Sequence, residues 1–268
     1  MAVMTNAVNL RYVDMTRPKV SFILVGITRS RDDAFATIHN DLLDGIETMK
    51  GLKKYVDSGR VPANPDIVFF VTGLDMVEKK EGKWIHELRG YALIGTVCHK
   101  SNIGEGEGIA TTYSGIHTMA HELCHVLGSP HDESPECPWK EGYMMSYVDG
   151  GLKKYRLSTC SERSIRNVFQ KLKLECIEVQ TKTNYMSKHK QYPGQTVRAV
   201  YYCKKIFKKP GAKCHIAKDE ELSMKCKMAC CCKVGGRGHC LKVNILPGMS
   251  CGHGKTCKRG VCGFHHFN

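Results

Sequence analysis

The stretch HELCHVLGSPHD, residues 121–132, gathers three histidines and two acidic residues. On a helix, His121 and His125 lie four residues apart, so both side chains project from one face at a distance that suits a single ion. Glu122 lies about 100° further round the helix, where it can reach a water on that ion without binding the ion itself. This spacing predicts a metal site with Glu122 as a general base.

The third histidine follows a predicted turn. Gly128 comes three residues after His125 and tolerates the left-handed conformation, so the helix can end there and the chain can double back. Pro130 blocks resumption of the helix, which lets His131 approach from another direction. Three neutral imidazoles leave one tetrahedral position for water, as in catalytic rather than structural zinc sites. We therefore predict one Zn²⁺ ion held by His121, His125 and His131.

Other histidines need a separate interpretation. His117 lies one turn before His121 on the same face, but a straight helix cannot wrap three histidines round one tetrahedral ion. We expect His117 to line or neighbour the cleft. His265 and His266, near the end of the chain, are most simply a solvated tail. The alternative to a metal site is a set of histidines satisfied in a core or exposed on a helix, and the combined spacing argues against it.

Several elements must position this motif. A branched apolar run at residues 20–27 predicts a buried strand. Apolar residues at three- and four-residue steps through residues 33–57 predict an amphipathic helix, with Asp32 or Asp33 as its N-cap and Gly59 after its end. The segments PDIVFFVTG and GYALIGTVC, the latter at residues 90–98, predict two more strands. The Gly-rich NIGEGEG predicts a loop, followed by the motif helix within residues 109–127 and a further helix at 161–174. Strand, helix and strand at this spacing indicate an α/β layer with parallel pairing.

Charge and cysteine are unevenly distributed along the 268 residues. Residues 1–176 have no net charge, whereas residues 177–268 carry the whole net charge of +14. Five cysteines precede residue 177 and ten follow from Cys203. The polar stretch 177–202 contains a Pro-Gly turn and predicts a linker. We therefore expect a first domain at 1–176, a linker at 177–202 and a small basic module at 203–268.

Composition also bears on location. Fifteen cysteines indicate an oxidising compartment, because cytosolic chains seldom carry so many. The longest apolar run, at residues 20–27, is far shorter than the ~20 residues that cross a bilayer. The opening residues lack the apolar segment of a secretory signal, so we expect the natural N-terminus to lie upstream. A secreted, disulfide-rich chain also makes nucleic acid an unfavoured partner.

Several motifs resemble one enzyme family. HELCHVLGSPHD resembles the elongated zinc motif of the metzincins, and Asp132 after the third histidine resembles the adamalysin or reprolysin branch, which includes venom metalloproteases, ADAM, ADAMTS and tick salivary metalloproteases. YMMSY is similar to the Met-turn below the zinc, with Met145 the favoured methionine and Met144 the alternative. LPGMSCGHGKTCKRGVC is similar to a Cys-rich motif of ADAMTS and tick proteins. The tick group is the nearest resemblance, which covers roughly residues 6–262.

The resemblance implies a fold and an activity. The fold is a metzincin-like α/β (α+β) catalytic domain, with a twisted mixed sheet and long helices, followed by a disulfide-rich module. The activity is secreted, zinc-dependent endopeptidase action on extracellular proteins, in saliva for the tick group, with matrix or clotting proteins such as fibrinogen as substrates. Met145 and Asp132 would support the geometry of the site. GYALIGTVC corresponds to the edge strand to which an extended peptide adds. A structural Ca²⁺ ion is possible, but no residue here specifies it.

The resemblance also implies disulfides. In family fashion Cys98 pairs with Cys176 and Cys137 with Cys160, which leaves Cys124 alone where the family usually has a small residue. We expect Cys124 to pack as a small hydrophobe, and the alternative is a redox-sensitive or metal-displacing thiol. In the family a strand and a helix usually precede the segment that VSFILVGI resembles. We therefore expect the catalytic domain to lack its N-terminal strand and helix.

The basic module permits two interpretations. It can concentrate the protein on polyanions such as heparan sulfate or on acidic protein surfaces, or it can be a solubilising surface. A competing function is a non-catalytic or truncated binding or antigenic protein that acts through this tail. The residues concerned include Lys204, Lys205, Lys208, Lys209, Lys213, Lys225, Lys227, Lys233, Lys255, Lys258 and Arg259.

Overall fold

The computed structural model describes residues 1–29, 34–62, 64–109, 111–179, 181–207, 211–234 and 237–267. The first part of the chain contains both helices and strands, and five successive strands separate its second helix from its third. The helices here are α1 (Ala2–Asn9), α2 (Gly45–Asp57), α3 (Ile116–Val126), α4 (Thr159–Phe169) and the short α5 (Leu174–Ile177). The strands are β1 (Ile38–His39), β2 (Leu42–Asp44), β3 (Val68–Thr72), β4 (Asp75–Lys80), β5 (Lys83–Ile85), β6 (Gly90–Ala92) and β7 (Ile103–Glu107).

The sheet beside α3 has the strand order β3-β7-β6. Strand β7 pairs parallel to β3 and antiparallel to β6, so β6 forms an edge. The predicted Gly-rich loop is therefore wrong, because its residues form the central strand. A Cβ at Gly104 would lie 3.1 Å from the Phe69 ring, and one at Gly106 would lie 2.8 Å from Cγ2 of Thr118. These glycines let β7 lie close to its neighbours, above all to α3.

One side chain of β7 is buried without a partner. Glu105 is fully buried, and neither of its carboxylate oxygens has a hydrogen-bond partner among the described residues. Burial raises its pKa to about 9, and the nearby carboxylates of Glu122 and Asp44 act in the same direction. Glu105 is therefore protonated at neutral pH.

The second helix begins later than predicted. Asn40 and Asp41 both have positive φ, 47° and 66°, and turn the chain between β1 and β2. Asp44 is the N-cap, since its Oδ1 accepts from the backbone N–H of Glu47 at 3.1 Å. The prediction of a helix through residues 33–57 is wrong in about its first half, because the Asn-Asp turn overrides the apolar spacing. The predicted N-caps Asp32 and Asp33 lie outside the described residues.

Residues 20–27 do not form the predicted buried strand. The structure assigns them no sheet pairing, and their side chains after Val20 are half-buried or exposed. The Asn9 side chain instead bonds both backbone groups of Phe22, at 2.8 Å and 2.9 Å. The Leu24 carbonyl accepts from the Tyr185 N–H at 2.9 Å. These backbone groups therefore form hydrogen bonds with the Asn9 side chain and with a distant loop, and not with a neighbouring strand.

The remaining elements lie near their predicted positions. PDIVFFVTG contains β3, and the motif helix is α3. The predicted strand at 90–98 shortens to β6, because the chain then turns at Gly95 (φ 70°) and bonds the end of α3 through Gly95 N–H to His125 O at 2.9 Å. The helix predicted at 161–174 is α4, whose N-cap Ser158 accepts from Ser161 N–H.

Helix α3 lies at the centre of the first core. α1 packs against it, and the buried Tyr12 hydroxyl donates to the Ala120 carbonyl at 2.5 Å. The core also contains Met4, Val8, Leu123, Cys124, Met144, Met145 and Ile165. The metal motif is therefore held on the most enclosed helix of the first domain.

The basic module has its own core and disulfides. It contains α6 (Pro193–Thr196), α7 (Ala199–Phe207), α8 (Glu220–Met224), β8 (Lys213–Ala217), β9 (Lys227–Val234), β10 (Arg237–Asn244), β11 (Ser250–Gly252), β12 (Lys255–Lys258) and β13 (Val261–Gly263). The antiparallel sheets have the orders β10-β9-β8 and β11-β12-β13. Disulfides join Cys203–Cys230, Cys214–Cys232, Cys226–Cys257, Cys231–Cys240 and Cys251–Cys262.

The predicted fold class is confirmed: a mixed α/β domain precedes a disulfide-rich module. The domain boundaries stay a prediction, and α6 and α7 place part of the predicted linker against the second core, where Tyr202 is buried. The module contacts the first domain through Arg259, which pairs with Asp14, and through Thr196, whose Oγ1 lies 2.8 Å from the Tyr113 hydroxyl. None of the helices in the described ranges is long and apolar enough to span a bilayer.

Candidate metal centre

The three motif histidines meet at one point. Helix α3 presents His121 and His125 with their ring centroids 4.8 Å apart. After α3 the chain turns at Gly128, whose φ is 118°, and brings His131 back over the helix. Nε2 of His131 lies 3.0 Å from Nε2 of His121 and 3.2 Å from Nε2 of His125. The predicted ligands are thus brought together around a single position.

Backbone carbonyls fix the tautomers of two of these rings. Nδ1 of His121 lies 2.8 Å from the Met144 carbonyl, and Nδ1 of His125 lies 2.7 Å from the Ser129 carbonyl. Because a carbonyl only accepts, each Nδ1 carries the proton and each Nε2 presents a lone pair. Lone pairs that face one another at this separation repel unless a cation lies between them. The arrangement therefore fits a metal ion.

Burial keeps the imidazoles in the form that binds metal. It lowers the pKa of His121 to about 3, with the neighbouring His125 adding to the effect, and it lowers the pKa of His125 to about 4. Burial also lowers the pKa of the more exposed His131. All three side chains are neutral at pH 7, as metal ligation requires.

Glu122 lies between the triad and the edge strand. The side chain is buried, yet no donor among the described residues bonds its carboxylate. A Cβ at Gly90 of β6 would lie 2.7 Å from Oε1 of Glu122. Burial raises the pKa of Glu122 to about 8. Sequence reasoning missed Gly90, because only the folded sheet places it beside the carboxylate.

The predicted supporting residues hold the turn that carries His131. The Asp132 N–H donates to the Met145 carbonyl at 2.9 Å. Oδ1 of Asp132 accepts from the hydroxyls of Ser158 at 2.5 Å and Ser161 at 3.3 Å, at the start of α4. Met144 and Met145 are both fully buried, and it is the Met144 carbonyl that bonds His121. A particular role for the Met145 sulfur stays a prediction.

Tyr147 is a site residue that sequence reasoning missed. Its hydroxyl lies 2.8 Å from Nδ1 of His131 and also donates to Glu133. The ring is 58% exposed, so it flanks the site at the surface. The one feature of the sequence that could have pointed to Tyr147 as a site residue is its position two residues after Met145, in the same YMMSY segment.

The remaining histidines do not join the triad. The ring of His117 lies 6.2 Å from that of His121 and lines a neighbouring cavity, as helix geometry predicts. Nε2 of His265 lies 3.0 Å from the Val261 carbonyl, in the module. A second cluster of metal-binding atoms, at Cys226, Cys251 and Cys257, consists of disulfide sulfurs and offers no thiolate.

The cysteines follow the family pattern of pairing. The structure joins Cys98 to Cys176 and Cys137 to Cys160. Cys124 is the free cysteine among the described residues, and it is fully buried on α3. Burial raises the pKa of its thiol far above the ordinary value. This environment favours a packed side chain over a reactive thiol.

Comparisons with known proteins agree with this site. Residues 1–132 match the family model described as metallo-peptidase family M12B, reprolysin-like. "A disintegrin and metalloproteinase with thrombospondin motifs like" from Bombyx mori is 27% identical over 98% of this chain and 40% of its own length. "A disintegrin and metalloproteinase with thrombospondin motifs 20" from Mus musculus is 26% identical over 75% of this chain and 10% of its own. "Venom metalloproteinase 3" from Eulophus pennicornis is 26% identical over 65% of this chain and 44% of its own length.

The fold and the histidine triad define a domain of the metallopeptidase type. The reprolysin-like match over residues 1–132 and the venom and thrombospondin-motif relatives support the adamalysin or reprolysin type that the sequence motifs predict. The chain spans less than half the length of each of these relatives. A particular nearness to tick salivary metalloproteases stays a prediction.

Proposed function

We propose that this protein is a secreted, zinc-dependent endopeptidase that hydrolyses peptide bonds in extracellular proteins. The observation that carries the proposal is the convergence of three Nε2 atoms beside the buried Glu122, two of them left unprotonated by the carbonyls that bond Nδ1 of the same ring. A tetrahedral zinc ion with Zn–N bonds of about 2.0–2.1 Å needs nitrogen atoms roughly 3.3 Å apart. The observed separations of 3.0 Å and 3.2 Å are close to that value.

The residues divide the work of hydrolysis. Zinc, when bound by His121, His125 and His131, supplies a Lewis acid that acidifies a water and polarises a peptide carbonyl. Glu122 accepts the proton of the attacking water at its carboxylate and delivers it to the leaving amine. Burial raises the pKa of Glu122 to about 8, and the positive charge of a bound zinc ion would favour the carboxylate form, which is the form that accepts a proton. Tyr147 and the two backbone carbonyls hold the imidazoles in place.

The edge strand provides the place for substrate. β6 leaves one side of the sheet unpaired, and Gly90 at its start lies against Glu122. An extended peptide that adds to this edge passes the proton acceptor without needing a free chain end. This geometry supports cleavage within a polypeptide. The seven disulfides among the described residues support an extracellular setting. The choice of matrix or clotting proteins such as fibrinogen as substrates follows from the family resemblance.

The test is cleavage of gelatin or fibrinogen by the 268-residue chain, with and without a zinc chelator, beside its Glu122→Ala variant. We expect chelator-sensitive cleavage, and we expect Glu122→Ala to bind one zinc but lose about 10²-fold or more in rate. The exposed Glu175→Gln is the matched control and should cleave normally. Near-normal turnover by zinc-loaded Glu122→Ala would refute the role of Glu122. A zinc-loaded wild-type chain without activity would favour the non-catalytic binding protein.

We also propose that the basic module binds polyanions such as heparan sulfate. Lys213 of β8 and Lys233 of β9 are exposed and stand directly opposite each other, a like-charge pair that destabilises a sheet. Among the described Lys and Arg residues from Cys203 onward, only Lys225 and Arg259 lie within 4 Å of a carboxylate. Such a surface attracts anions over long range. Lys208 and Lys209 lie outside the described residues.

Heparin affinity tests this second proposal. The double variant Lys213→Gln/Lys233→Gln should elute from heparin resin at lower salt than the wild-type chain. The control is Lys53→Gln/Lys54→Gln on α2, which removes the same charge from the first domain. Equal elution of both double variants would show that the lysine pair is no specific anion site.

A further inference from the structure

A cavity of about 370 Å³ lies between the first domain and the basic module, next to the metal centre. His117 and Tyr147 line it on the side of the first domain, and Tyr202 and Asn244 line it on the side of the module. The Tyr147 hydroxyl also contacts His131. The cavity therefore begins one side chain away from the metal ligands, within reach of a substrate held at the site.

Arg11 contributes an uncompensated positive charge to this cavity. The residue is only 8% exposed, and its guanidinium stacks on the Tyr155 ring at 4.0 Å from the centroid. Among the described residues the guanidinium donates one hydrogen bond, from Nη1 to the Lys154 carbonyl at 3.3 Å. Among the described residues no carboxylate lies within 4 Å of it. Burial lowers the pKa of Arg11 to about 10, so the side chain is still charged at pH 7.

The other charged groups that line the cavity are paired. Lys154 bonds Asp149 at 2.5 Å, and Arg259 forms a two-point ion pair with Asp14. His117 is neutral at pH 7, because burial, followed by the charge of Arg11, lowers its pKa to about 4. The Nε of Arg259 is buried and bonds nothing within the described ranges. The cavity therefore has one unpaired positive charge, on Arg11, and one unused hydrogen-bond donor, Nε of Arg259.

We propose that this cavity binds a carboxylate of the peptide substrate and that Arg11 determines this specificity. The proposal rests on the endopeptidase function, because the carboxylate belongs to the chain being cleaved. A guanidinium presents planar donors that match a carboxylate, and an anion removes the cost of burying an unpaired charge. The carboxylate comes either from a Glu or Asp side chain near the scissile bond or from the C-terminus of a short peptide.

The module takes part in this selection. Tyr202, Asn244 and Arg259 form one wall of the cavity, and Arg259 is fastened to the first domain through Asp14. The first domain alone leaves Arg11 open on that side. Preference for a carboxylate is therefore a property of the whole chain.

The first experiment compares kcat/KM for paired peptides with the zinc-loaded full chain. One pair carries Glu or Gln at each position next to the scissile bond, and the other ends in a free acid or an amide. We expect at least a tenfold preference for one carboxylate form. Arg11→Met should lower this preference to nearly one by slowing cleavage of the carboxylate peptide. The pair that shows the preference identifies the source. Arg60→Met is the matched control, because Arg60 is exposed, lies over Tyr55 and is outside the cavity.

A binding measurement separates this proposal from the proposed activity. The Glu122→Gln background is not expected to turn over substrate, so the affinity of the same labelled peptides can be measured directly in it. A preference for the carboxylate peptide that Arg11→Met abolishes would uphold the cavity assignment even if no peptide were cleaved. Where Arg11→Met does not fold, Arg11→Lys keeps the charge without the planar fork and should retain part of the preference. Equal binding of acid and neutral peptides by the wild-type site would overturn the proposal.

Discussion

Replacement of Gly90 by alanine tests whether the edge strand places Glu122. In the structure a Cβ at residue 90 would lie 2.7 Å from Cγ and Oε1 of Glu122 and from Cγ2 of Thr118. Ordinary contact begins near 3.4 Å, so these groups must separate by about 0.7 Å. Displacement of a catalytic group by about 1 Å costs on the order of 10²-fold in rate. We expect Gly90→Ala to lower kcat/KM by roughly 10- to 100-fold.

The assay must distinguish misplacement from unfolding. Zinc content and thermal unfolding temperature should stay near the wild-type values, since residue 90 contacts none of the three histidines and the groups that must move are the Glu122 side chain and the Thr118 methyl group. Gly73→Ala is the matched control, because a Cβ at residue 73 meets nothing within 4 Å. A folded, zinc-loaded Gly90→Ala protein with wild-type kcat/KM would refute the argument that β6 fixes the proton acceptor.

Three further predictions concern stability and reactivity. The pKa of Glu105 is about 9 in the folded chain against an ordinary 4.5, so its stabilising contribution is complete below pH 4.5 and is lost as the pH rises through about 9. The free energy of unfolding, measured with urea, should fall by up to about 1.4 kcal/mol per pH unit in that window. Glu105→Gln should flatten this dependence on pH. Ser158→Ala removes the N-cap of α4 and a hydrogen-bond donor to Asp132. The free energy of unfolding should therefore fall by about 1–2 kcal/mol, and zinc affinity should fall roughly tenfold. Zinc affinity equal to that of the wild-type chain would contradict the role of Asp132. Cys124 should resist alkylation by iodoacetamide until the chain unfolds, because the side chain is buried and burial raises the pKa of its thiol. Mass spectrometry measures the labelling, and rapid labelling of the native chain would contradict this prediction.

The metal ligands could be predicted from the sequence because their geometry is almost wholly local. A four-residue step on a helix fixes His121 and His125, and Gly128 allows the turn that returns His131. The ring orientations depend on the Met144 and Ser129 carbonyls, and only the first of these comes from a distant segment.

The parts that could not be predicted depend on contacts between distant segments. Gly104 looked like a loop residue because nothing in the sequence shows that it packs on Phe69 in a central strand. Residues 20–27 have the composition of a strand but find no neighbouring strand, since Asn9 takes the hydrogen bonds. Arg11 carries no local signal, because its burial and its stacking on the distant Tyr155 appear only in the folded chain.

The disulfides leave the two halves of the chain without a covalent link except the backbone. Cys98–Cys176 and Cys137–Cys160 lie in the first domain, and the other five pairs lie in the module. The backbone between them passes through residues 181–192, which are largely exposed. A single cut there would convert one molecule into a reversible two-part complex, held by contacts such as Asp14–Arg259. Dilution would then release the module. The remaining first domain would keep its three histidines but would lose one wall of the cavity proposed to select substrates.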